Sequence, residues 1–328
     1  MRNGRAFERN GVTGSRNGAG RPAESRRLDG PYVDEVLHET GLVTVGIFRA
    51  DVSHPSFRDS GPIERPIFVF PRTSVVIQHQ GDRPFTTDTC TVTYYNRGQR
   101  YTREPMDPRG DRCEWFSVRP DVLLDVLTAV DPAAVDRPEH PFRHAYGPSD
   151  AGAYALQRVV VRHLQSEDRP DALAVEEAVM NVLDRVVRMA YGEPADAVAL
   201  HGDSPGNPAD AVGLAHDARK FFMNRFTDSL CLEDVARALS CSVFHLCRVF
   251  RRETGTTLHR YRHQLRLRQS LEHVAEPDSD LTNIAFRLGF SSHSHFTAAF
   301  RAAFGATPSV FRCTASSRRL RELAARLT

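Results

Sequence analysis

The spacing of apolar residues changes character twice along this chain. Between residues 31 and 120 it comes in short runs bounded by Pro, Gly and Asp. These are Leu42-Val43-Thr44-Val45-Gly46-Ile47-Phe48, Ile67-Phe68-Val69-Phe70, Ser74-Val75-Val76-Ile77 and Cys90-Thr91-Val92-Thr93-Tyr94-Tyr95. Short runs between breakers predict the antiparallel strands of a barrel or sandwich. Asp107-Pro108-Arg109-Gly110-Asp111 reads as a turn. From residue 121 to 192 the period becomes helical. Asp121 is placed to cap a helix that buries Val122, Leu123, Val126, Leu127 and Val130. Two longer helices follow, near 150–165 and 171–191. In the second, Leu173, Val179, Val182, Leu183, Val186 and Val187 form a stripe broad enough for a domain core or a dimer seam.

The third regime is a repeat. LEDVARALSCSVFHLCRVFRRETG (Leu232 to Gly255) and LTNIAFRLGFSSHSHFTAAFRAAFG (Leu281 to Gly305) share one pattern about fifty residues apart. Leu232, Val235, Ala236 and Leu239 lie at i, i+3, i+4 and i+7, as do Leu281, Ile284, Ala285 and Leu288. A break follows each set, at Ser240-Cys241-Ser242 and at Gly289. Ser242 and Ser292 are then placed to cap a second helix. In that helix Leu246, Val249 and Phe250 match Phe296 and Phe300 as the packing face, Arg251 matches Arg301, and Gly255 matches Gly305. Phe244, Cys247, Arg248 and Arg251 are left on the other faces of the first copy. His293, Ser294 and His295 fall early on the outward face of the second. A helix that packs on one side and is free on the other suits a major groove, and two in tandem suit two successive grooves. Leu258 to Arg268 reads as a long basic amphipathic helix that holds the copies rigidly apart.

Composition sharpens this picture. The chain has 328 residues, 41% of them hydrophobic, enough for two domains and a tail. No apolar run approaches the ~20 residues that span a bilayer, so no membrane role is expected. The basic N-terminus has no apolar stretch behind it, so a cytoplasmic location is expected. Net charge is only +2, yet from residue 210 onward 18 Lys and Arg stand against 11 Asp and Glu. The basic excess lies in the half with the repeat, as phosphate binding requires. Residues 1–30 are expected to be a disordered tail, 193–209 a linker and 316–328 a C-terminal tail.

These residues bring a family into view. The region from about 210 to 313 closely resembles the DNA-binding domain of the AraC/XylS regulators. LEDVARAL, SVFHLCRVFRRETG, RLRQSLEHV and LTNIAFRLGFSSHSHFTAAFRAAFGATPSVFR carry the resemblance. Thr257 departs from it, standing where the first copy usually has Pro. The resemblance implies an all-α domain of two helix-turn-helix units over residues 210–315. It implies base-edge contacts from Phe244, Cys247, Arg248, His293, Ser294, His295 and Ala298, with Arg248 bidentate to guanine. It implies phosphate contacts from Ser242, Arg251, Arg252, Ser292 and Arg301. It also implies an N-terminal cupin-like β-barrel or sandwich with a helical hairpin over residues 31–192, sensing an effector or dimerising. The expected whole is a two-domain α+β transcriptional regulator, an activator by family habit. Double-stranded DNA and RNA polymerase are its partners, with a small-molecule effector and a homodimer left open.

Two alternatives stay open. One is a thiol-based redox sensor using Cys90 and Cys113, or Cys247. The other is a cupin-type metalloenzyme. Against the second, His54, His79, His140 and His144 are isolated, and no nucleophile motif or phosphate-binding glycine loop occurs. No enzyme activity, cofactor or metal is therefore expected. The segments Tyr95–Tyr101 and Asp111–Phe116 are polar and aromatic for a barrel. They read either as pocket lining or as barrel corners with structural ion pairs.

Overall fold

The computed structural model describes residues 30–167, 169–192, 208–276 and 279–312. The predicted N-terminal tail but for Gly30, the whole predicted C-terminal tail and residues 193–207 of the predicted linker lie outside the described residues. The N-terminal elements are β1 (Tyr32–Glu39), β2 (Val43–Ala50), β3 (Asp59–Ser60), β4 (Ile67–Pro71), β5 (Val75–His79), β6 (Phe85–Thr87), β7 (Thr91–Tyr95), β8 (Tyr101–Pro105), β9 (Asp111–Val118), α1 (Pro120–Thr128), β10 (Tyr146–Pro148), α2 (Ala151–Ser166) and α3 (Ala172–Tyr191). The helices α4 (Pro208–Arg225), α5 (Leu232–Ala238), α6 (Val243–Thr254), α7 (Leu258–Val274), α8 (Leu281–Arg287), α9 (His293–Phe304) and α10 (Pro308–Arg312) follow. The chain is thus α+β, a β-sheet domain followed by a helical helix-turn-helix domain.

The strands form two antiparallel sheets, β1-β2-β9-β4-β7-β10 and β3-β8-β5-β6. Register sets the core. Phe116 on β9 lies opposite both Val45 on β2 and Phe68 on β4. The Phe68 and Phe116 rings stack at 5.4 Å, with Phe70 edge-on at 5.8 Å. Gly46 faces Trp115 across β2 and β9, where a Cβ would meet the indole at 2.3 Å. Glycine there leaves the space that the indole occupies. The turn at 107–111 forms as expected: Asp107 accepts from the Arg109 amide at 2.8 Å, and Gly110 takes φ +78°.

Three N-terminal expectations need correction. Arg119, not Asp121, is the N-cap of α1; Asp121 sits in the first turn, ion-paired to Arg119 at 2.7 Å. On that helix only Leu123 and Leu127 are buried, while Val122, Val126 and Val130 are half-buried. Leu173 leaves the α3 stripe altogether and is 73% exposed. The rest of the stripe, Val179 to Val187, is fully buried within this one chain against α2 and the sheet, with the Tyr94 hydroxyl donating to the Val186 carbonyl at 3.1 Å. It serves as core.

The segments Tyr95–Tyr101 and Asp111–Phe116 resolve towards structure. Tyr101 and Asp111 begin β8 and β9. Arg103, buried between them, donates to Asp111 at 2.6 Å and to Ser60. Its guanidinium lies 4.5 Å from the Phe48 ring centre, 5.3 Å from Tyr101 and 5.7 Å from Phe57. An aromatic cage is filled by the chain's own cation.

The two halves share one hydrophobic core. It runs from Val45, Phe68 and Phe116 through Tyr154 and Val160 on α2 to Leu267, Leu271, Ile284, Phe296 and Phe300 in the second helix-turn-helix unit. The first unit packs instead with α4, around Phe222, Leu246, Phe250 and Tyr261.

Candidate nucleic-acid interface

The two helix-turn-helix units are built from the same local devices. The Ser242 hydroxyl accepts from the His245 amide at 3.2 Å, and Ser292 accepts from His295 at 3.1 Å. Gly255 and Gly305 close the second helices in the left-handed conformation, at φ +68° and +71°. The second residue after each first helix is also left-handed, Ser240 at φ +52° and Gly289 at φ +80°. Leu246, Val249 and Phe250 are buried in α6, and Phe296, Phe300 and Phe304 in α9. Leu232, expected on the buried face of α5, is 40% exposed because it stands at the very start of that helix. The departure noted at Thr257 falls one residue later: Thr257 caps α7, and Leu258 holds the first helical position that Pro308 holds in α10.

On α6, Phe244 is 75% exposed and the Arg248 guanidinium sits 5.8 Å from its ring centre. Arg251 and Arg252 are exposed, Arg252 bonded to Glu253 at 2.8 Å. Cys247 is half-buried and lines a cavity of about 520 Å³ with Phe222, Val235, Leu258, His259 and Arg262. On α9, His293, Ser294, Ala298 and Arg301 together line an open groove of about 700 Å³. Thr297, Ala302 and Thr307 complete that groove. Helical spacing from His293 and Ser294 could have found Thr297. His295 stands apart from the groove: its Nδ1 lies 3.0 Å from the Ser291 hydroxyl, and its ring packs towards Phe290 and His263.

The basic linker helix is corrected most. Arg266 and Arg268 on α7 are buried. Arg266 donates to the carbonyls of Phe226 and Gly289 at 2.6 Å each, and of Asp228 at 3.1 Å. It staples the turn of the second unit to the end of α4. Arg268 donates to the carbonyls of Thr89 and Ser149 in the β-sheet domain, the latter at 2.5 Å. These arginines tie backbone together and face no open groove. Sequence gave no sign of it, because a buried Arg is distinguished only by the carbonyls that tertiary structure brings to it.

Two ion-pair clusters reinforce that tie. Fully buried Asp88 accepts from the Arg219 Nε at 2.9 Å and from the Tyr261 hydroxyl at 2.7 Å. Burial and the Asp88 charge push the Tyr261 hydroxyl well above its usual range. Glu272 on α7 pairs with Arg72 and, at 3.3 Å, with Arg158; both arginines also meet buried Glu114. Burial would raise the Glu272 carboxyl, but Arg158 and Arg72 outweigh it and hold it below its usual value.

Cys90 and Cys113 fit redox chemistry poorly. Burial pushes Cys90 up to about 12 and Cys113 well above the ordinary thiol range, the reverse of what a reactive thiolate needs. Among the described residues no three His, Cys, Asp or Glu are grouped to hold a metal ion, and no helix is long and apolar enough to cross a membrane. His79 is buried against Tyr95 and Phe85, and burial lowers it to about 4.

Two helix-turn-helix units joined by a capped helix define a class of DNA-reading proteins. A family model described as a helix-turn-helix domain matches residues 235–313. The HTH-type transcriptional activator RhaS of Klebsiella pneumoniae (strain 342) is 35% identical over 85 residues, 26% of this chain and 31% of that protein. The stretch in common therefore spans under a third of that relative's length. Among solved structures, an AraC-type DNA-binding domain protein of Chromobacterium violaceum covers 33% of this chain and 96% of its own, at 25% identity and a TM-score of 0.31. ToxT of Vibrio cholerae covers 83% of this chain and 98% of its own, at 10% identity and a TM-score of 0.32. Residues 235–313 thus resemble the helix-turn-helix domain of transcriptional regulators such as RhaS.

Proposed function

We propose that this chain is a sequence-specific, DNA-binding activator of transcription. One observation carries the reading. Two helices with matching Ser caps and matching Gly ends bury one face and turn Phe244 and Arg248, or His293, Ser294 and Ala298, outward. Base edges are read by Phe244, Cys247, Arg248, His293, Ser294, His295 and Ala298. Phosphates are held by Ser242, Arg251, Arg252, Ser292 and Arg301. The named activity of RhaS supports the sign of regulation.

In this reading residues 31–192 are a cupin-like sensing or dimerisation domain, 193–209 a linker and 210–315 the DNA-binding domain. A bound small-molecule effector shifts an equilibrium between two placements of α7, through the contacts at Asp88, Arg268 and Glu272. RNA polymerase and a second copy of the chain complete the partners. Selection of bound duplexes from a random-sequence library tests the reading. An enriched motif with two parts about one helical turn apart is the expected result, and no enrichment overturns it.

A further inference from the structure

Three histidines stand in file across the second unit and the linker helix. His259 and His263 lie one turn apart on α7, their rings 6.3 Å apart and within 10° of parallel. His263 and His295, near the start of α9, are 6.1 Å apart and 22° from parallel. Phe290 packs edge-on to both, at 5.5 and 5.7 Å. The file runs from the cavity that His259 lines with Arg251 and Arg262 to the first turn of α9.

The charged groups that bear on His263 have one sign. Arg262 and Arg266 adjoin it on α7, and Arg251 on α6 shares the cavity of His259. The nearby carboxylate, Asp228 before α5, already accepts from Arg225 at 2.8 Å. Both helix N-termini add positive potential. The His263 imidazole, among arginines, resists taking a proton until an anion arrives. Burial first, then His259, His295, Arg266 and Arg262, lower His263 from its ordinary value.

We propose that His259 and His263, in file with His295 of the reading helix, form a proton-loaded phosphate site, taking up protons as the backbone of duplex DNA settles against them. The inference rests on the DNA-binding reading above and adds to it two residues of the linker helix and a proton linkage. Bound phosphate favours the charged imidazole, so binding takes up protons and affinity rises as pH falls from 8 towards 6. Each proton taken up contributes up to tenfold per pH unit.

The test uses the full chain and a duplex recovered by selection, at fixed ionic strength between pH 6 and 8. Wild type should tighten about tenfold or more across that range. His259→Gln with His263→Gln should lose at least half of that logarithmic slope. Equal slopes in the two proteins, or a flat wild-type profile, would overturn the proton site and leave DNA binding standing. Absence of binding at every pH would instead remove the reading beneath it. An NMR titration of the His263 ring in wild type needs no variant: its pKa should climb by more than one unit on adding duplex, and an unmoved value sinks the proposal.

Discussion

The Arg266 guanidinium donates to the Gly289 carbonyl at 2.6 Å, so one side chain of the linker helix fixes the turn of the second helix-turn-helix unit. The same group holds the Phe226 carbonyl at the end of α4. Replacing it strands both carbonyls inside the protein. Arg266→Met should cost about 3 kcal/mol of unfolding free energy. Urea denaturation checks this, and a loss below ~0.5 kcal/mol would mean that other donors replace the staple.

The two left-handed turn residues should respond oppositely. A Cβ at Gly289 would meet the Arg266 guanidinium and the Thr227 carbonyl at 2.6 Å. Gly289→Ala should therefore destabilise by more than ~1 kcal/mol. Ser240 occupies the matching position with a side chain that its φ of +52° disfavours. Ser240→Gly should raise stability by up to about 1 kcal/mol. Thermal melts of both variants decide the matter, and a destabilised Ser240→Gly would contradict it.

Glu272 should make stability depend on acid. Its carboxyl is held below the ordinary value of 4.5. A depressed acid contributes stability that is complete above its unfolded value and fades as pH falls through the folded one. Glu272→Gln should lose about 2 kcal/mol at pH 7, a figure reduced because Arg72 and Glu272 each keep about a quarter of the side chain in solvent. The gap between variant and wild type should shrink steadily below pH 4.5. Denaturation curves collected down that range would show it, and a constant gap would rule it out.

DNA contacts should separate by kind. Arg248→Ala should cost about 1–3 kcal/mol and relax preference at one base pair. Arg301→Ala should weaken all duplexes alike and lower the salt slope by about one. Binding to selected and scrambled duplexes at several salt concentrations distinguishes these patterns. If Arg248→Ala changed neither affinity nor preference, α6 would not be a reading helix.

What could be read from the chain was local. Ser242, Ser292, Gly255 and Gly305 act within a few residues of themselves, so their spacing revealed the repeat and its caps. The strands β2, β4, β5 and β7 carried dense apolar runs. β1 and β8 did not, because each alternates exposed residues at or near a sheet edge. Leu173 was misread because helical period cannot say where a neighbouring helix stops covering its face. Arg266, Arg268 and the His263–His295 pair depend on partners 23 to 179 residues away, at or beyond the reach of any window.

The continuous core has a consequence for swapping parts between regulators. A helical domain grafted onto a foreign N-terminal domain would leave Leu267, Leu271 and Arg268 without the surface they were shaped for. Such a chimera would expose a sticky flank and clump, so the helical domain and its β-sheet domain can be exchanged only as a matched set.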